Sequence, residues 1–152
     1  NLVLRRFSFT LESVLTVKQK KLEDERIKLS KIMNELRAQK ELLEKTIFEF
    51  EQNKKQADDY ILKNNFHIEV ITNFRLYGEK LAHKIKNQKE LIKKKELELK
   101  IQQKATNQAY IDVKTLEKLK EKQKEKYDKE LLQEEFKMID DIVSSRHLRI
   151  SY

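Results

Sequence analysis

Residues 15–57 read LTVKQKKLEDERIKLSKIMNELRAQKELLEKTIFEFEQNKKQA. Within them Leu15, Leu22, Leu29, Leu36, Leu43, Phe50 and Ala57 recur at strict intervals of seven. On an α-helix that spacing returns an apolar side chain to nearly the same face for about seven heptads, and a slow supercoil absorbs the drift. With Leu15 as heptad position a, the d positions read Leu11, Lys18, Glu25, Ile32, Gln39, Thr46, Asn53 and Tyr60. One seam column is apolar and the other mostly polar. Such a helix needs a partner and holds it loosely.

Composition narrows where that partner comes from. The chain has 152 residues, 39% of them charged, with one glycine and no proline, tryptophan or cysteine. A rounded domain of this size needs several chain reversals, which draw on glycine and proline for their dihedrals. Long helices with a single reversal are therefore expected, and the apolar repeat argues against disorder despite the high charge. No run approaches ~18 consecutive apolar residues, so no transmembrane helix is expected, and the opening shows no signal-peptide core. The sequence opens on Asn1 rather than methionine, so the natural start is expected upstream. Without cysteine there are no disulfides or thiolate metal sites, which fits a reducing compartment. The net charge of +8 is a weak pointer to nucleic acid because the two signs are closely mixed.

Residues 1–9 form a basic, aromatic lead-in. Thr10 has the character of an N-cap, Glu12 complements the positive helix end, and Phe9 with Val14 has the spacing of a hydrophobic staple. The first helix is expected over about 11–60, which is ~75 Å at 1.5 Å per residue. Residues 60–81 crowd large apolar side chains around Asn64-Asn65, Thr72-Asn73 and Gly78, which places the one reversal within 62–72. This density suits either a hairpin tip packed on itself or a docking surface. The second helix is expected over about 73–145. Its seam opens on Ile85, Ile92, Leu99, Thr106 and Val113 and then shifts through Leu116 and Tyr127.

An antiparallel pairing about residue 66 makes partner positions sum to about 132. Leu15 then falls near Leu116, Leu22 near Tyr110 and Phe50 near Leu81. The fold class is all-α, a long antiparallel two-helix coiled-coil hairpin with the second helix the longer, forming one domain over 1–152. Leu131, Leu132, Phe136, Met138, Ile139 and Ile142 are left without a mate inside the chain, and such a face is a partner-binding candidate. The lysine column at 114, 118, 122 and 126 beside Glu117, Glu121 and Glu125 reads as a solvated face.

Chemistry is sparse. A phosphate-cradling loop needs several glycines, and only Gly78 is present. His67, His83 and His147 never take the i, i+4 spacing of a helical zinc site. No serine has a base near it in sequence, and a two-helix rod offers no water-excluding pocket. The reading is a binding protein without catalytic residues, cofactor or metal.

The run Arg6-Phe7-Ser8-Phe9-Thr10-Leu11-Glu12-Ser13-Val14-Leu15, followed by Lys18 and Glu23-Asp24-Glu25, resembles the opening of the bacterial flagellar FliJ family. Ile139-Asp140-Asp141-Ile142, with Arg146 and Arg149 beyond, is similar to that family's acidic-then-basic close. The resemblance implies a cytoplasmic component of flagellar type III export, similar to the stalk subunit of rotary ATPases and peripheral to the inner membrane through its partners only. It implies that the terminal helices engage the hexameric export ATPase FliI, here through Phe7, Phe9, Leu11, Leu131, Phe136, Met138 and Ile142. It also implies contact with the export gate protein FlhA, here through Ile47, Phe50, Tyr77 and Leu81, and with export chaperones. Lys54, Lys84 and Gln88 depart from the gate pattern. Three rivals stay open: a virulence type III stalk, a structural coiled coil that dimerises through its termini, and a basic nucleic-acid-binding rod.

Overall fold

A computed structural model describes residues 5–63 and 67–150. They form two α-helices, α1 at Glu12–Leu62 and α2 at Ile68–Ile150, of 51 and 83 residues. There is no strand among the described residues. The fold is an all-α antiparallel two-helix hairpin in which α2 is the longer helix. Cross-helix contacts group into two compact units, Asn1–Glu23 with Asn107–Tyr152, and Asp24–Thr106.

Burial along α1 follows the heptad closely. Leu15, Leu22 and Leu36 are buried, and Leu29, Leu43, Phe50 and Ala57 are half-buried. The polar d column also turns inward: Ile32, Thr46 and Asn53 are buried, and Lys18, Glu25, Gln39 and Tyr60 are half-buried. In α2 the seven-residue line does not shift after Val113. Lys120 and Tyr127 continue it, both half-buried, while Leu116 belongs to the companion column with Ala109 and Gln123. The expected shift came from discounting a lysine at a seam position. Its stem can line the seam while its ammonium reaches Glu12, 2.8 Å away.

In the unit built on residues 107–150, Phe9, Leu15, Leu22, Ala109 and Val113 form the core, with Phe7 and Leu116 packed against it. Leu15 and Leu116 share that core, as the register requires. Leu22 has Ala109 and Val113 as its core companions, whereas Tyr110 is exposed. The helix start also differs from expectation. The Glu12 N–H donates to the Phe9 carbonyl and the Leu15 N–H to the Leu11 carbonyl, at 3.1 and 2.8 Å. Backbone groups therefore close this turn. Phe9 packs into the core instead of stapling Val14, which is 40% exposed.

In the unit of residues 24–106, Gln102 donates to the Glu25 backbone carbonyl and to its carboxylate. The Thr106 hydroxyl donates to the same Glu25 carbonyl at 3.3 Å. Lys40 pairs with Glu96 at 3.6 Å, and Lys95 pairs with Glu35. Near the passage between helices, the His67 N–H donates to the Tyr60 hydroxyl at 3.3 Å, and the Tyr60 and Phe74 rings lie 6.1 Å apart. α2 begins at Ile68, ahead of the expected Asn73. The His67 carbonyl accepts from Val70 and Ile71, so the β-branched run enters the first helical turns. Asn64, Asn65 and Phe66, read as part of the reversal, lie outside the described residues.

Candidate protein-docking surfaces

The first surface lies in the unit containing residues 107–150. The lead-in lies against α2: the Tyr127 hydroxyl donates to the Arg5 carbonyl, and the Phe7 and Tyr127 rings tilt at 52° with centroids 5.7 Å apart. Lys124 Nζ sits 5.4 Å from the Phe7 centroid and 5.0 Å from that of Tyr127, a cation placed for attraction to both ring faces. Beyond Tyr127, α2 turns its apolar residues outward. Leu132, Phe136, Ile139, Ile142 and Val143 are each more than half exposed. At about 100° per residue, these five with Leu131 and Met138 fall in one sector of roughly 160°. That breadth exceeds what a two-helix seam uses, and the stripe lies outside the chain's buried core.

Of the residues expected to face an ATPase, Phe136 and Ile142 are exposed, Leu11 is 36% exposed, and Phe7, Leu131 and Met138 are half-buried. Phe9 is buried at 6% exposure and serves the core. Leu131 and Phe7 also line an open cavity of about 810 Å³ with Arg5, Tyr127 and Glu134.

The second surface lies in the unit of residues 24–106. A groove of about 480 Å³ is lined by Phe48, Gln52, Asn53, Val70, Asn73, Phe74 and Tyr77, among others. Another, of about 260 Å³, is lined by Phe50, Asn53, Lys54, Ala57, Ile71, Phe74, Arg75 and Gly78. Asn53 and Phe74 are common to both. Of the residues expected to face a gate, Tyr77 is 45% exposed, Ile47 and Phe50 are half-buried, and Leu81 is buried at 3%. Leu81 is a seam residue. Sequence reasoning missed Phe48, which is 61% exposed. It sits at heptad position f, directly outward, where the seam has no use for an aromatic ring, and that position was the available signal.

His67, His83 and His147 are all exposed. No group of three or more histidines and carboxylates among the described residues could hold a metal ion. No helix there is long and apolar enough to cross a membrane. Both surfaces are apolar, partly aromatic and open, which is chemistry for protein contact. The family model for the flagellar FliJ protein matches residues 7–150. No curated protein and no solved structure matches the chain.

Proposed function

The chain belongs to the flagellar FliJ family, and from that premise we propose that it is a non-enzymatic coupling component of the flagellar type III export apparatus. It engages the hexameric export ATPase through the lead-in and residues 131–142, and the membrane export gate through the Phe48–Tyr77 groove. It works on the cytoplasmic side of the inner membrane, held there by its partners, and meets export chaperones on the same route. The observation that carries this reading is the apolar stripe on α2, where Leu132, Phe136, Ile139 and Ile142 are each more than half exposed. A stripe of that width gains by burial in a partner, at roughly 25 cal/mol per Å² of apolar surface removed from water.

The lead-in supports the same assignment. Phe7 tilted against Tyr127 beside Lys124 gives the stripe an aromatic and cationic border, and such residues anchor protein interfaces. The polar seam suits a part that carries load between partners, because it holds α1 and α2 together without a continuous apolar core.

The test adds the chain to a purified export ATPase and measures hexamer formation and turnover. Both are expected to rise. If neither responds, the coupling reading is wrong. The gate assignment is tested separately by binding of Phe48→Ala and Tyr77→Ala to the isolated gate domain, with loss expected from either change.

A further inference from the structure

We propose that, in the free chain, residues 131–150 of α2 pair antiparallel with the same residues of a second copy. Leu132, Glu135, Ile139, Ile142 and Arg146 follow alternating spacings of three and four, the seam pattern of a coiled coil. All five are exposed. Two are charged and of opposite sign, and they stand near the centre of the apolar sector instead of at its edge. Neither joins an ion pair among the described residues.

A charge in the middle of an apolar stripe is costly to cover unless an opposite charge meets it. The sequence meets that condition by itself. A two-fold axis between Asp140 and Asp141 sets Ile139 against Ile142 of the second copy, and Ile142 against Ile139. The same axis sets Glu135 against Arg146 of the second copy, and Arg146 against Glu135. Farther out, Leu132 meets the aliphatic stem of Arg149. Two isoleucine layers are thus flanked symmetrically by two ion pairs, an isologous contact that closes at two copies.

In-register parallel pairing fails the same test. It opposes Glu135 to Glu135 and Arg146 to Arg146, and like charges across a seam are repulsive. The contact spans about 30 Å of helix at 1.5 Å per residue, which places it at the small, weakly associating end of protein interfaces. The inference does not depend on the ATPase reading, because its partner is the chain itself. While paired, the chain cannot offer the stripe to any other protein.

Sedimentation velocity on the full chain over a concentration series tests this, with no ATPase present. A reversible monomer–dimer equilibrium is expected. Glu135→Arg alone, and Arg146→Glu alone, should each weaken the dimer by at least about tenfold. The double reversal should restore it to within about threefold, since the pairs re-form with their signs exchanged. A monomer at every concentration overturns the proposal. So does a dimer indifferent to the single reversals, or one that the double reversal does not rescue. Both positions lie outside the hairpin seam, and far-UV circular dichroism checks that helix content is retained. The neutral variants Glu135→Gln and Arg146→Gln should give the same ordering with smaller losses if a reversal disturbs the helix.

Discussion

The side-chain amide of Asn53 on α1 donates from Nδ2 to the backbone carbonyl of Phe74 on α2 at 3.0 Å. In helical geometry that carbonyl also accepts from the N–H of Gly78, four residues on. A Cβ on residue 78 would sit 3.2 Å from the same Nδ2. The one glycine of the chain therefore lies inside a helix, where it gives the asparagine room. The break between the helices falls between Leu62 and Ile68, inside the expected 62–72.

Gly78→Ala should consequently behave differently in two backgrounds. Alanine in a helix interior is favoured over glycine by about 1 kcal/mol. In the wild type the new methyl must displace an amide held by a hydrogen bond of similar net worth, about 1 kcal/mol, so most of the gain is cancelled. In an Asn53→Ala background the same change should stabilise by about 0.5–1 kcal/mol. Urea titration of the four chains gives the coupling directly, and equal gains in both backgrounds would remove it.

The seam shows how much a one-dimensional pattern can carry. The Leu15-to-Ala57 line and the antiparallel register were legible because seven-residue periodicity fixes a face whatever the side chains are. Polar residues on that face were harder to place. Thr46 is the most buried residue of the polar column at 2% exposure, its hydroxyl donating to the Leu42 carbonyl at 3.0 Å. Its own helix thus satisfies it, so it needs no polar partner across the seam. Lys120 disguised the continuing heptad for a related reason: its charge suggested surface although its stem lies in the seam. The candidate docking residues were less legible still. Phe9, Leu81 and Phe48 are all large and apolar, and only the path of the facing chain decides which of them is covered.

Gln39 and Gln88 mark the weakest place in that seam. Each has a side-chain oxygen that is buried without a hydrogen-bond partner among the described residues. The register of the Glu25–Gln102 and Asn53–Phe74 contacts places the two glutamines opposite each other. An unsatisfied buried oxygen costs about 1–3 kcal/mol, and an apolar side chain of similar size avoids that cost. Gln39→Leu with Gln88→Leu should stabilise the hairpin by about 2 kcal/mol or more. A denaturation midpoint that stays put or falls would show that the amides are satisfied in solution.

Glu35 and Lys95 give the seam a dependence on pH. The hydrogen bond from Lys95 holds the Glu35 carboxyl below the usual carboxylate range. The bond to Glu35, and then that to Glu98, raise the Lys95 ammonium above the usual lysine range. The carboxyl's contribution is complete above its unfolded value and disappears as pH falls through the depressed folded value. The ammonium's contribution is complete below its unfolded value and disappears as pH rises through the raised one. These are two views of one interaction, so Lys95→Met should lower the urea midpoint most around neutral pH. The two chains should converge in strong acid, where Glu35 is protonated in both states. Raised salt should shrink the neutral difference, since Glu35 is 40% exposed. A difference that persists unchanged in acid would assign the effect to the packing of the lysine stem.

Phe9 and Phe136 separate structure from docking. Both are phenylalanines expected from sequence to face the same partner, yet one is 6% exposed and the other 59%. Phe9→Ala opens a cavity among Leu15, Leu22, Ala109 and Val113 and should destabilise by about 3–5 kcal/mol, the usual range for a buried phenylalanine. Any loss of ATPase stimulation by that variant should track its unfolded fraction and recover on cooling. Phe136→Ala removes a ring that already faces water, so its melting curve should stay within about 0.5 kcal/mol of the wild type. Its stimulation of the ATPase should fall at every temperature, because an aromatic anchor in a docking stripe carries a disproportionate share of the contact energy. Stimulation by Phe136→Ala equal to that of the wild type would remove the middle of the α2 stripe from the ATPase interface and leave the lead-in at Phe7 to carry it.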